Sequence, residues 1–273
     1  MQLYDENYVT CVEKDSQEVV LTLYCVNPSE NLKKCLKKNY STVFFSATLS
    51  PIKYYIEMLG GENESYRLKL PSPFKKENLN VYVSPVNIRY KYRMRTLPNV
   101  IDKICSFVNK EIGNYIVFAP SYAYMESLWE DILKCDGLDM FKLIKQESNM
   151  DEKEKSDFLK QFKENNNLLV FCVLGGMFSE GIDLPGEQLI GSVIIGVGYP
   201  KIAMENEISR EFFGENGYDY AYVYPGINKV QQAAGRVIRT ENDEGRVLLI
   251  DDRYITPQYN ILLPSEWYPI KKF

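Results

Sequence analysis

Leu168-Leu-Val-Phe-Cys-Val-Leu174 runs directly into Gly175-Gly-Met-Phe-Ser-Glu-Gly-Ile-Asp183, and the fold is read outward from this junction. An unbroken apolar run closed by a glycine-rich turn fits a strand buried on both faces, as in the middle of a parallel sheet. On either side, helical and strand periodicities alternate from about residue 97. Pro98 sits near a helix start, Ile101, Ile104, Cys105, Val108 and Ile112 follow at helical spacing, and Gly113 stands where that helix would stop. Tyr115 to Phe118 and Phe141 to Ile144 read as strands. Between them Ser121 can cap a helix carrying Met125, Leu128, Trp129 and Ile132, and a third helix holds Phe158, Leu159 and Phe162. Val193 to Val197, Tyr220 to Tyr224 and Arg246 to Ile250 continue as strands, with a helix from about Ile227 to Arg239. The alternation predicts an α/β fold, a parallel sheet flanked by helices.

The first 60 residues have a different texture. Val19 to Tyr24 and Thr42 to Phe45 read as strands, and Pro51 to Leu59 as a helix ended by Gly60-Gly61. Two or three elements make a poor core, so residues 1–61 read as a small appendage and 62–273 as the main domain, with Pro71-Ser-Pro73 breaking regular structure in the crossover.

Composition narrows the chemistry. The 273 residues are 45% apolar and 25% charged, enough to build a core. A net charge of −5 argues against a uniformly basic coat for nucleic acid but leaves room for a local basic groove. Histidine is absent, which removes Ser-His-Asp triads, Cys-His dyads and His-ligated metals. The six cysteines are spaced 10 to 70 residues apart without a C-x-x-C pair, so a Cys₄ metal site is not expected and a reducing, cytoplasmic setting is. The longest apolar run, Leu168 to Phe178, is 11 residues against the roughly 20 of a membrane span, and neither a span nor a secretory signal is read.

Two constellations carry chemistry. In Gln231-Gln-Ala-Ala-Gly-Arg-Val-Ile-Arg239, a helix at about 100° per residue would bring Gln232, Arg236 and Arg239 to one side, opposite Val230, Ala233, Ala234, Val237 and Ile238. Such an arginine pair is either a solvated helix face or a clamp for a transferring phosphate, to which the guanidinium fork is matched. The second constellation is the 175–183 turn, placed where open parallel sheets gather their ligands. Its glycines permit close backbone approach, Ser179 and nearby amides suit a nucleic-acid phosphate, and Glu180 and Asp183 suit a link to nucleotide; a tight turn with exposed acids is the alternative. A third stretch, Arg89-Tyr-Lys-Tyr-Arg-Met-Arg95, places basic residues at every odd position. Read as a strand it offers a cationic edge with Arg89 and Arg93 beside single-stranded DNA, or else a solvated face. The mixed-charge segment from Asp151 to Lys163 reads as a solvated helix.

The words SATLSP (46–51), FAPSYAYMES (118–127), GGMFSEGID (175–183) and QQAAGRVIRTENDEG (231–245), the last followed by LLIDDRY (248–254), occur in an order that resembles motifs III to VI of the XPD/DinG family of superfamily 2 DNA helicases. The resemblance covers approximately residues 17–267. It implies a RecA-like lobe of the P-loop NTPase type, the second of two lobes that clamp ATP and Mg²⁺ and pull single-stranded DNA, with residues 1–61 as the tail of lobe one. No Walker A sequence is present, and without histidine a DEAH box cannot occur. ATP and Mg²⁺ would therefore be bound mainly by the first lobe, the partner of this one, and the iron-sulfur domain found in some family members would lie upstream. The resemblance also implies roles. Gln232 would position the attacking water or γ-phosphate, Arg236 and Arg239 would be arginine fingers, and Glu180, Asp183, Ser46 and Thr48 would couple to nucleotide. Ser121, Tyr122, Gly176 and Ser179 would contact DNA. The chain alone would be inactive as an ATPase. Two other readings stay open, a nonenzymatic RecA-like binding module and the helicase-like part of a DinG-type exonuclease. The expected location is a prokaryotic-type cytoplasm, beside the nucleoid when on DNA.

Overall fold

A computed structural model describes residues 4–14, 18–62, 64–179 and 183–273. In chain order its strands are β1 Tyr8–Lys14, β2 Val19–Cys25, β3 Leu79–Ser84, β4 Tyr115–Ala119, β5 Lys142–Lys145, β6 Leu168–Val173, β7 Gly191–Ile195, β8 Gly245–Ile250 and β9 Lys271–Lys272. Its helices are α1 Ser29–Leu36, α2 Ile52–Met58, α3 Arg93–Val108, α4 Tyr122–Ile132, α5 Glu152–Glu164, α6 Met204–Phe212, α7 Tyr224–Ala234 and α8 Pro257–Asn260. The chain forms two units, Pro71–Tyr199 with Gly226–Phe273, and Met1–Leu70 with Pro200–Pro225.

The larger unit is built on seven strands in the order β5-β6-β4-β7-β8-β3-β9, every pairing parallel. The apolar run at 168 is β6, second from one edge with neighbours on both sides, and its first five residues are buried. Leu97, Val100, Ile104 and Phe107 of α3 and Met125 and Leu128 of α4 pack into one core with Val117, Phe171, Val193 and Leu248 of the sheet. Each such side chain contributes about 1.5–3 kcal/mol of burial. α5 begins with a capping box between Asp151 and Glu154, and only Phe162 of this otherwise solvated helix is buried.

Asn114 ties the amino-terminal side of the sheet together. Fully buried, its Nδ2 lies 3.0, 2.8 and 3.1 Å from the carbonyls of Phe162, Asn165 and Gln188, and its Oδ1 accepts from the Leu168 amide at 2.9 Å. One side chain thus satisfies the exit of α5, the entry of β6 and the approach to β7.

In the smaller unit, β1 and β2 form an antiparallel hairpin. The Tyr24 hydroxyl meets Ser209 Oγ of α6 at 3.0 Å, and Tyr54 of α2 packs edge-on against Tyr220, centroids 4.8 Å apart. The Tyr220 hydroxyl donates to Glu57. These contacts explain why residues 200–225 cluster with the amino-terminal segment and why the chain divides after Leu70 rather than after residue 61.

Several expected elements take another form. Tyr220–Tyr224 is not a strand: Asp219–Val223 is a turn of π-helix leading into α7, because its tyrosines pack at helical spacing, Tyr218 on Tyr222 and Tyr220 on Tyr224. Thr42–Phe45 is irregular, with Val43 79% and Phe45 90% exposed, and it has no strand partner among the described residues. Arg89–Arg95 is a turn followed by α3, because Asn87 Oδ1 accepts from the Arg89 amide at 3.1 Å and the Tyr92 amide closes on the Arg89 carbonyl at 2.7 Å. Pro98 accordingly lies inside α3, which ends at Val108, short of Ile112 and Gly113. α7 ends at Ala234, well before Arg239.

Replacing Asn114 with Leu removes the donor and acceptor together and leaves buried main-chain groups unpaired. The expected cost is about 2–4 kcal/mol, read as a lower urea midpoint at unchanged m-value.

Candidate functional site

At the carboxyl ends of β4, β5 and β6 a single hydrogen-bonded chain joins the three loops. Ser121 caps α4, accepting from the Tyr124 amide at 3.3 Å, which fixes Tyr122 at the first turn. The Tyr122 hydroxyl accepts from Gln146 Nε2, just beyond β5, and burial pushes the phenol pKa up. Gln146, 1% exposed, accepts through Oε1 from the Val173 amide at 3.1 Å. Ser179, also 1% exposed, donates its hydroxyl to the Val173 carbonyl at 3.2 Å and accepts from the Gly175 amide at 2.8 Å. The Gly176 amide closes on the Val173 carbonyl at 3.0 Å.

This bonding corrects part of the sequence reading. The Gly175 and Gly176 amides and the Ser179 hydroxyl, expected to face a phosphate, are engaged inside the turn, so Ser179 shapes the loop from within. Gly175 has φ +76°, and a Cβ there would lie 2.9 Å from Cδ of Lys229, whose stem crosses the turn. Lys229 belongs to α7 and escaped the sequence reading because nothing in its immediate neighbours marks it.

The other end of the chain of contacts is the turn after α7. Gly235 follows the last helical residue, and the Arg236 and Val237 amides close shorter bonds to Ala233 and Ala234 at 3.3 and 3.2 Å. Arg236 Nε donates to the Ser179 carbonyl at 3.1 Å, and Arg239 Nε lies 3.4 Å from Asp183 Oδ1. Arg236 and Arg239 therefore meet the 175–183 segment from a turn, not from one face of a continuous helix. Gln232 remains on α7 and is half-buried, whereas its neighbour Gln231 points inward and donates to the Leu262 carbonyl at 2.9 Å. Glu180 lies outside the described residues.

Asp243 organises the arginine turn and was not foreseen. Only 5% exposed, it accepts from the amides of Arg239 at 2.7 Å, Thr240 at 2.9 Å and Gly186 at 3.2 Å, and from the Thr240 hydroxyl. Burial opposes its ionisation, but the Thr240 hydroxyl and the three amides outweigh it and hold the carboxyl below its ordinary value. At the end of β8, Asp251 is fully buried and paired with Arg253 at 2.7 and 2.9 Å, beneath the ring of Tyr199. Burial raises the Asp251 carboxyl despite that partner.

The remaining expected residues lie elsewhere. Arg89 Nη1 is paired with both oxygens of Asp252 at 2.8 and 2.7 Å, so its charge is answered within the protein. Arg93 reaches the rings of Tyr90 and Tyr124, 5.3 and 5.6 Å from their centroids. Ser46 and Thr48 belong to the smaller unit, Ser46 exposed and Thr48 half-buried, with the Thr48 amide donating to Ser46 Oγ at 3.2 Å.

Residues 104–270 match the family model described as Helicase C-terminal domain. The chain is 29% identical over 241 residues to the ATP-dependent DNA helicase DinG of Photobacterium profundum, covering 84% of this chain and 34% of that protein. It is 26% identical over 281 residues to the XPD/RAD3 helicase subunit of general transcription and DNA repair factor IIH from Saccharomyces cerevisiae, covering 92% of this chain and 35% of that one. The chain thus spans about a third of the length of these relatives. A solved apo XPD structure superposes with a TM-score of 0.73 at 19% identity, over 98% of this chain and 54% of that one, a likeness of fold.

Asp243→Asn leaves several amides competing for one remaining acceptor oxygen and is expected to cost about 1–3 kcal/mol at neutral pH. Because the folded carboxyl titrates below its unfolded value, its stabilisation is present above the ordinary carboxylate range and is lost as pH falls through the depressed value. Urea denaturation of both proteins from pH 7 downward should therefore show the gap narrowing below about pH 4.

Proposed function

Because the chain belongs to the helicase C-terminal domain family, we propose that it is the second motor lobe of an XPD/DinG-type ATP-dependent DNA helicase, acting on single-stranded DNA beside a P-loop lobe. The observation that carries this reading is the bonding of the Arg236 turn to the Gly175 loop through the Ser179 carbonyl at 3.1 Å. Donors suited to a triphosphate and a loop suited to a strand are there mechanically joined.

In this reading Arg236 and Arg239 reach the γ-phosphate of an ATP held with Mg²⁺ by the P-loop lobe, and Gln232 orients the water. Both guanidiniums suit a phosphate, since they stay charged and present a fixed fork of donors. The contact of Arg236 Nε with the Ser179 carbonyl and the ion pair of Arg239 Nε with Asp183 lie partly in solvent, where phosphate oxygens can compete for both guanidiniums. Withdrawal of Arg236 toward the phosphate releases the Ser179 carbonyl and lets the Gly175 turn shift. Through Val173 and Gln146 the same shift reaches Tyr122, at the start of α4. Tyr122 and Ser121 then grip the strand, with Gly176 and Ser179 positioning them. Asp183 is the exchange partner that Arg239 leaves, and Ser46 and Thr48 sense nucleotide from the end of the first lobe, to which residues 1–61 belong. The location proposed for it is a prokaryotic-type cytoplasm, beside the nucleoid when on DNA.

Two measurements test this. The 273-residue chain alone is expected to show no DNA-stimulated ATP turnover. In a protein carrying this chain with its P-loop lobe, Arg236→Ala should lower DNA-stimulated hydrolysis by about 10³-fold or more at unchanged Tm. Robust turnover by the chain alone, or unchanged turnover in the variant, contradicts the assignment.

A further inference from the structure

Resting on the DNA path just described, we propose that Tyr90, backed by the Arg93 guanidinium, is a base-stacking platform for single-stranded DNA at the entrance to α3. The Tyr90 ring is 84% exposed, although aromatic side chains ordinarily seek cover. It is also oriented. The Asn87 side chain and the Tyr92-to-Arg89 main-chain bond fix the turn that carries it, and the Thr96 hydroxyl donates to the Asn87 carbonyl at 2.9 Å.

Behind the ring, the Arg93 guanidinium lies 5.3 Å from the Tyr90 centroid and 5.6 Å from that of Tyr124. Tyr124 is 2% exposed, and neither its hydroxyl nor Arg93 Nε makes a hydrogen bond among the described residues. Ring faces hold this guanidinium, so the outer tyrosine sits on a support already assembled before any ligand arrives.

Charge favours a polyanion here. Asp252 answers Arg89, but Lys91, Arg93 and Arg95 have no ion pair among the described residues, on a chain whose net charge is −5. Tyr124 is two residues from Tyr122, so the platform lies beside the first turn of α4, where the strand is gripped in the proposed function. An aromatic face backed by cations suits a base and its backbone together, and such stacking tolerates any base. The platform is distinct from the phosphate contacts: it reads the presence of a base, not of a charge.

The test uses fluorescence anisotropy of the 273-residue chain with a labelled oligothymidylate and with an abasic strand of equal length, which keeps the phosphates and lacks the bases. Wild type should prefer the oligothymidylate. Tyr90→Ala should weaken that binding about tenfold and leave the abasic strand nearly unaffected. Tyr90→Phe should retain binding, and Lys91→Ala should weaken both strands alike. At 84% exposure Tyr90→Ala leaves the fold intact, which an unchanged Tm verifies. Equal effects of Tyr90→Ala on both strands, or no effect on either, overturn the platform while leaving the DNA path standing. Absence of wild-type binding to both strands overturns the path and the platform together.

Discussion

The hydroxyl of Ser179, buried and bonded on both sides, holds the shape of the loop on which the rest of the site depends. It accepts from the Gly175 amide and donates to the Val173 carbonyl, so the end of β6 and the turn beyond it move as one piece. Its carbonyl, facing the other way, accepts from Arg236. In the proposed function, a residue with no exposed reactive atom thereby joins the cation assigned to phosphate to the loop assigned to the strand. Alanine could not replace it without removing the partner of the Gly175 amide and one donor to the Val173 carbonyl at this part-buried turn.

Parallel pairing sets the stage for this junction. Each connection in such a sheet must return from the carboxyl end of one strand to the amino end of the next, so the ends of β4, β5 and β6 deliver their loops to the same edge. Buried polar side chains then fix the returns. Asn114 does so on the amino-terminal side, and Asp243 gathers the amides of the arginine turn and of Gly186. Because Asp243 anchors the main chain of that turn, the turn keeps its shape while Arg236 and Arg239 extend from it toward the 175–183 segment.

Much of the architecture was legible in the sequence, because continuous apolar runs and capping residues act locally. β4, β5, β6 and β8 fall within a residue or two of their expected positions, β7 begins two residues early, and Ser121 caps the helix that follows it. The failures share a cause. Alternation in Tyr-Ala-Tyr-Val-Tyr and in Arg-Tyr-Lys-Tyr-Arg imitates a strand, but a strand needs a ladder partner, and tyrosine packing or an Asn87 turn prevails where none is offered. β1, β3 and α1 carried weak signals and were not read. The motif words singled out Arg236, Arg239 and the 175–183 segment, but not which of the described atoms face outward. Gln146 and Lys229 act over long sequence separations that no spacing rule encodes, as does Asp243 toward Gly186, while its bonds to Arg239 and Thr240 are local.

The central claim is that Arg236 answers charge that develops only as the phosphate is transferred. It is tested most directly by comparing nucleotide affinities in a protein that carries this chain with its P-loop lobe. If the claim holds, Arg236→Ala weakens binding of ADP with aluminium fluoride, a mimic of the transferring phosphoryl group, by about a hundredfold or more while ADP alone changes little. Equal losses for both ligands, or none for either, would contradict it.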